Sequence, residues 1–280
     1  TIIERGKALI AIKATKIWQL IRTVTRLINR FVFLLGLMTL IGLTTLSITT
    51  YQLIESIPTK ESLAFDTLQS HAQAISITNA INSKQSSAGD WSELKDVSTE
   101  LIYALVISED EAFFNHRGID YNALVAALIH NIKNREWRFD ASTITQQTAK
   151  SLFLNNNKNF SDKLKEALIT YRLEQTISKN EILELYFNII KFGPEIYGIT
   201  NASAYFFNKK PIDINAAEGA YLAQLMHSPG NNHHATYKNS TGSPAVMKKL
   251  HRTLREMRFK GLIKEDQYKH YLNWTYKGDE

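Results

Sequence analysis

The sequence predicts a mostly α-helical protein with an N-terminal transmembrane helix. Three observations predict it: residues 31–54 contain no charged side chain, helical periodicity dominates from residue 98 onward, and no long alternating strand pattern occurs. The 280 residues are 44% hydrophobic and 21% charged, a globular balance too apolar for a disordered chain.

The net charge of +6 comes from 33 Lys+Arg against 27 Asp+Glu, and it is unevenly placed. Seven basic residues (Arg5, Lys7, Lys13, Lys16, Arg22, Arg26, Arg30) and one acid, Glu4, fall within residues 1–30, so the rest of the chain is balanced. The basic character is local, and no nucleic-acid partner is expected. With no cysteine, disulfide scaffolds, thiolate metal sites and cysteine nucleophiles are excluded.

Residues 31–54 are read as a single span. At 1.5 Å per residue, the run crosses a hydrocarbon core about 30 Å thick. The basic block before it predicts a cytoplasmic N-terminus and an external remainder. A cleaved signal peptide fits poorly, because the basic region is long and no small-x-small site follows Ile48. A buried core helix fits poorly beside so cationic a flank. Residues 1–30 are then a basic cytoplasmic segment. Over 8–30, apolar and basic positions alternate at helical spacing, which suits either a helix on an anionic membrane surface or a plain cytosolic flank.

Residues 55–97 are read as a stalk and linker, with a polar loop at 82–90. Residues 98–280 form the globular domain. Ser98 or Thr99 caps a first helix carrying Leu101, Ile102, Leu105 and Val106 at a 3.6-residue period. Further helices are predicted over 121–132, 143–154, 161–177, 180–189, 214–226 and 244–258, with Gly261 ending the last and a short helix from about residue 264.

Chemistry concentrates in three segments. In SEDEAFFNHRGID (108–120), Glu109, Asp110 and Glu111 end an apolar helix before Phe113, Phe114 and His116. A helix C-terminus and burial against the two phenylalanines both disfavour an ionised carboxylate, moving it towards general acid or base use. An exposed acidic turn explains the composition equally well. His116 has no paired-ligand spacing and is read as a structural histidine, and the 231–234 NNHH run as a polar loop.

In DASTITQQTAK (140–150), Thr143 and Gln146 form a capping box. The remaining hydroxyls and amides, with Lys150 a turn later, suggest an anion site suited to phosphate. The third segment is a helix from about residue 161. One side carries Leu164, Ala167, Leu168 and Tyr171, the other Ile169, Leu173 and Ile177 in line with Glu166. Apolar on both sides, it is expected to be buried, and Glu166 then needs a partner such as Lys163.

Together these segments resemble the family 51 peptidoglycan glycosyltransferases, the lysozyme-like domain of bifunctional penicillin-binding proteins and of monofunctional transglycosylases. The first family motif is matched by Glu109, Asp110, Phe113, His116, Gly118 and Asp120. The second is matched by Ser142, Thr143, Ile144, Thr145, Gln146, Gln147 and Lys150, and the third by Lys163, Glu166, Arg172, Leu173 and Glu174. Ser178, Lys179, Ile182, Leu183, Glu184, Tyr186 and Asn188 match the fourth. Segments at 197–206 and 223–229 extend the match, which runs from about residue 99 to the carboxyl end.

The resemblance implies a lysozyme-like fold and an inverting glycosyltransferase that polymerises lipid II. Glu109 would be the base on the acceptor 4-hydroxyl. Glu166 would be the second carboxylate, at the departing undecaprenyl pyrophosphate, with Mg²⁺ or another divalent cation as a candidate ion held by it. Asp110, Phe113, His116, Ser142, Thr143, Thr145, Gln146, Gln147, Lys150, Lys163, Arg172 and Lys179 would bind substrate. Implied partners are lipid II, the lipid-linked glycan chain, the bacterial membrane, and other cell-wall synthesis or division proteins. The S-x-x-K at 92–95 has no K-T-G after it, so the monofunctional form is implied.

Two positions depart from the family pattern. Asp140 stands where glycine is usual, and Asp162 where an arginine precedes the lysine. Each places negative charge near an expected diphosphate, which repels it. A lytic lysozyme-like glycosidase and a weakly active or inactive cell-wall scaffold are the alternatives this leaves.

Overall fold

The computed structural model describes residues 2–83, 91–135, 142–154, 160–226 and 244–276. The predicted loops at 84–90 and 231–234, and Asp140, lie outside the described residues. Two compact units divide at Ile57. The first is helix α1 (Ile2–Glu55), which runs without a break through the basic segment and the uncharged run. Nearly all its apolar side chains from Ile17 to Ile54 are exposed, and it is long and apolar enough to cross a membrane.

The second unit, from Pro58, is helical apart from one two-stranded hairpin among the described residues. Its helices are α2 (Phe65–Ser83), α3 (Thr99–Glu109), α4 (Tyr121–Asn134), α5 (Ile144–Phe153), α6 (Phe160–Thr176), α7 (Lys179–Ile189), α8 (Ile199–Phe207), α9 (Ala216–Met226), α10 (Pro244–Phe259) and α11 (Glu265–Leu272). Strands β1 (Lys191–Gly193) and β2 (Ile196–Tyr197) pair antiparallel between α7 and α8.

The segment expected as a stalk is part of this unit. Helix α2 packs on α7, α5 and β2, and buries Leu68 and Ala72. It also runs through residues 82 and 83, the start of the expected loop. Its weak amphipathic pattern reads as a linker because few of its positions are buried.

The core is built on α3 against α9. Gly219 permits the close approach: a Cβ there would meet Ala104 Cβ at 3.0 Å and Leu101 Cα at 3.1 Å. Ser98 caps α3 by accepting from Leu101 N–H, and its hydroxyl donates to the Ile214 carbonyl before α9. Glu100 accepts from Ala216 N–H at 2.7 Å and from the Tyr271 hydroxyl at 3.0 Å, tying α3 to α9 and α11. Gly261, at φ +72°, follows α10, where Leu262 N–H reaches back to the Met257 carbonyl.

Helix α6 corrects one expectation. Ile169 and Leu173 are fully buried and Glu166 nearly so, but Leu164 and Tyr171 on the other stripe are 39% and 60% exposed. The helix is buried on the acid's side alone.

Candidate active site

Helix α3 ends at Glu109 because the next residue leaves helical geometry. Asp110 sits at φ −158°, and its carboxylate is claimed from two directions. His116 Nε2 lies 2.8 Å from one oxygen and 3.0 Å from the other, and Ile144 N–H at the start of α5 donates to Oδ2 at 3.0 Å. Gly118 N–H donates to His116 Nδ1, so that nitrogen is the acceptor and Nε2 carries the proton given to Asp110. Asp110 is thereby a buried clasp between the end of α3 and the start of α5.

The turn from Asp110 to Asp120 holds the same junction. Gly118 adopts φ +89° and presses on α6, where a Cβ would meet Thr170 Cγ2 at 2.6 Å. Its carbonyl accepts from Thr143 Oγ1 at 2.5 Å. The predicted Thr143–Gln146 capping box is present.

Glu109 is positioned by α5 and α7. Gln147 Nε2 donates to Glu109 Oε2 at 3.0 Å, and the Tyr186 hydroxyl donates to Gln147 Oε1 at 3.2 Å. Tyr186 fixes which way the Gln147 amide faces, and so presents an N–H to the carboxylate. Burial, and then the charges of Glu109 and Asp110, push the Tyr186 phenol well above the usual tyrosine range, so it stays a donor. Sequence reasoning placed Tyr186 in a motif but not in the site. The signal was a hydroxyl on a helix that buries mainly apolar residues. Tyr186→Phe should lower turnover about 5- to 10-fold, the loss of about 1 kcal/mol from one hydrogen bond. Initial rates at unchanged melting temperature check it.

Glu166 lies on the buried side of α6 and receives Lys163 Nζ at 2.5 Å, the predicted pair. Lys163 is half exposed and also reaches Ser142 Oγ at 3.3 Å. Both acids are thus tied to one short segment, Glu109 through Gln147 and Glu166 through Lys163 to Ser142. From Ser142 to Gln147 is one cap and one helical turn, at most about 12 Å between Cα atoms. Lys150, three residues after Gln147, lies on the same side of α5. Asp162 occupies the first turn of α6, where the positive helix end favours an acid.

Several residues that the resemblance places at the substrate make contacts within the scaffold. Thr143 and Gln146 cap α5, and buried Thr145 donates to Glu174 Oε1 at 2.5 Å. Lys179 donates to the same oxygen at 2.7 Å and sits 4.2 Å from the centre of the Phe113 ring. Phe113 is fully buried against His116 and Phe114, whereas Phe114 is 47% exposed and does not supply the expected burial. Glu111 pairs with Lys260. Arg172 donates to the Pro58 carbonyl at 2.7 Å and lines a cavity of about 460 Å³ with Thr59, Lys60, Tyr171, Gln175 and Thr176. None of the residues around Glu109 or Glu166 lines that cavity. Among the described residues, no group of three or more His, Asp or Glu is placed to hold a metal.

Residues 75–258 match the family model described as Transglycosylase. The chain is 39% identical over 173 residues to a biosynthetic peptidoglycan transglycosylase of Mannheimia succiniciproducens, covering 62% of this chain and 68% of that one. It is 36% identical over 159 residues to a protein of the same name in Nitrosomonas eutropha, covering 57% and 63%. Penicillin-binding protein 1A of Neisseria lactamica is 40% identical over 140 residues, which is 50% of this chain but 18% of that much longer protein. The match spans the turn around Asp110 and both carboxylate-bearing helices, and the chain belongs to the transglycosylase family.

Proposed function

We propose that this chain is a peptidoglycan glycosyltransferase that joins lipid II units into β-1,4 glycan strands at the outer face of the cytoplasmic membrane. The observation that carries the reading is the attachment of both acids to residues 142–147. Glu109 takes the proton of the acceptor GlcNAc 4-hydroxyl as that oxygen attacks the donor anomeric carbon. The bond to undecaprenyl pyrophosphate breaks, and the diphosphate leaves towards Lys163 and Ser142. Acids held at the two ends of one segment leave room for a nucleophile between them, the arrangement used by inverting carboxylate pairs.

The Glu166 surroundings fit a divalent ion delivered with substrate rather than a resident one. Lys163 occupies Oε1, so a single carboxylate is on offer, and Mg²⁺ is commonly held by one carboxylate plus substrate phosphates and water. Such an ion would neutralise diphosphate charge. Lys163 supplies a cation at the acid despite Asp162 beside it.

Helix α4 supplies a reason for the lipid-borne substrate. Tyr121, Leu124, Val125, Leu128, Ile129 and Ile132 fall at helical spacing on one stripe and are 50–69% exposed. The stripe begins where the Asp110–Asp120 turn ends, so the domain can rest in the bilayer surface beside Glu109. Of the neighbouring phenylalanines, Phe114 is exposed and Phe113 buried. Leu128→Asp with Ile129→Asp should weaken vesicle binding by the domain at least 10-fold, since about 1.5–3 kcal/mol is lost per apolar side chain. Sedimentation with phospholipid vesicles measures it.

Purified full-length chain incubated with labelled lipid II tests the whole reading. Polymer and released undecaprenyl pyrophosphate are the expected products, with less of both when EDTA removes the divalent ion. Cleavage of preformed glycan without lipid II use would instead show a lytic glycosidase, and binding without turnover a scaffold.

A further inference from the structure

Helix α1 poses a question that the transferase chemistry does not answer. At 54 residues it is about 80 Å long, far more than a bilayer core of about 30 Å. Residue 17 precedes Phe31, the first residue of the uncharged run, by fourteen positions. Along a continuous helix that is about 20 Å, beyond an interfacial layer of about 5–8 Å. A helix lying flat on the lipid surface would need a break near residue 31. There is none, and residues 13–35 contain neither Gly nor Pro.

The part outside the bilayer is nevertheless apolar along one side. Ile17, Leu20, Ile21, Val24, Leu27 and Ile28 are 45–65% exposed. Ile17, Ile21, Val24, Ile28 and Phe31 recur at spacings of four and three, and Leu35 and Met38 continue the register. This is the heptad pattern of a coiled coil, with Ile21, Ile28 and Leu35 at a positions and Ile17, Val24, Phe31 and Met38 at d. The charges are sorted to match. Lys16, Arg22, Arg26 and Arg30 all fall at b, c or f, pointing away from the seam, and Trp18 carries Arg22 over its ring at the flank.

We propose that α1 pairs in parallel with α1 of a second copy of this chain through the Ile17–Ile21–Val24–Ile28 seam. A different partner helix would be selected by charges at e and g. Between residues 16 and 30 those positions hold Trp18, Leu20, Thr25 and Leu27, none of them charged. No charge there repels a second copy, and the basic residues of two parallel copies point away from the seam. Beta-branched isoleucine at a favours two strands.

The absence of cysteine makes the test clean. Single substitutions Ile21→Cys, Val24→Cys and Ile28→Cys on the seam, and Arg22→Cys and Arg26→Cys off it, are made in the full-length chain. Each is reconstituted in phosphatidylethanolamine–phosphatidylglycerol vesicles and oxidised at increasing lipid dilution. The seam positions should give at least about 10-fold more disulfide-linked dimer than the outer positions, at yields that resist dilution. Monomer throughout, equal yields at all five positions, or quenching of seam-attached labels by lipid-borne spin labels would overturn the proposal. Lipid II turnover is read separately on the same samples, so a failed polymerase assay leaves this result standing.

Discussion

Glu109→Gln should abolish lipid II polymerisation, lowering turnover by roughly 10³-fold, because general-base assistance contributes about 10²–10⁴-fold. The amide is isosteric and can still face Gln147, whose Nε2 donates to Glu109 Oε2 in the native site. Fold and lipid II binding should therefore be retained. A melting temperature within a degree or two of wild type, with no polymer on a gel, is the expected pair of results. Loss of both stability and activity would make Glu109 a structural residue.

The second large effect belongs to Asp110. Asp110→Ala removes the acceptor for His116 Nε2 and for Ile144 N–H in a buried place. Breaking one partner of a buried charged cluster costs about 3–5 kcal/mol, and here two donors are left. For a domain of this size that lowers the melting temperature by roughly 6–20 °C. Activity should fall with it, because the same clasp aligns Glu109 at the end of α3 with Gln147 in α5. Asp110→Asn keeps one acceptor oxygen and should fall between the two. Thermal unfolding followed by circular dichroism separates the three proteins.

Local signals in the sequence carried most of the helices. Ser98, the Thr143–Gln146 box and Gly261 mark ends by chemistry confined to one turn, and the structure places those ends there. The ion pair of Glu166 with Lys163 was equally legible, being one helical turn long. What escaped depends on contacts between distant segments. The β1–β2 hairpin has too few residues to show a period. Helix α6 has two apolar stripes in sequence, and only its tertiary neighbours decide that Ile169 and Leu173 are the buried ones. The apolar stripe of α4 is visible in sequence, but its exposure is not. Nothing in the sequence reveals that Thr145 and Lys179 converge on Glu174.

In the proposed reaction, Glu109 and the Lys163–Glu166 pair act from opposite ends of residues 142–147 on one sugar. The anomeric configuration of the first bond made from lipid II measures this most directly, by NMR of the short product. A base on one side and the diphosphate leaving on the other give a β linkage from the α-linked donor, and that is the result expected. An α linkage would require two successive displacements through an enzyme-bound sugar and would contradict the arrangement.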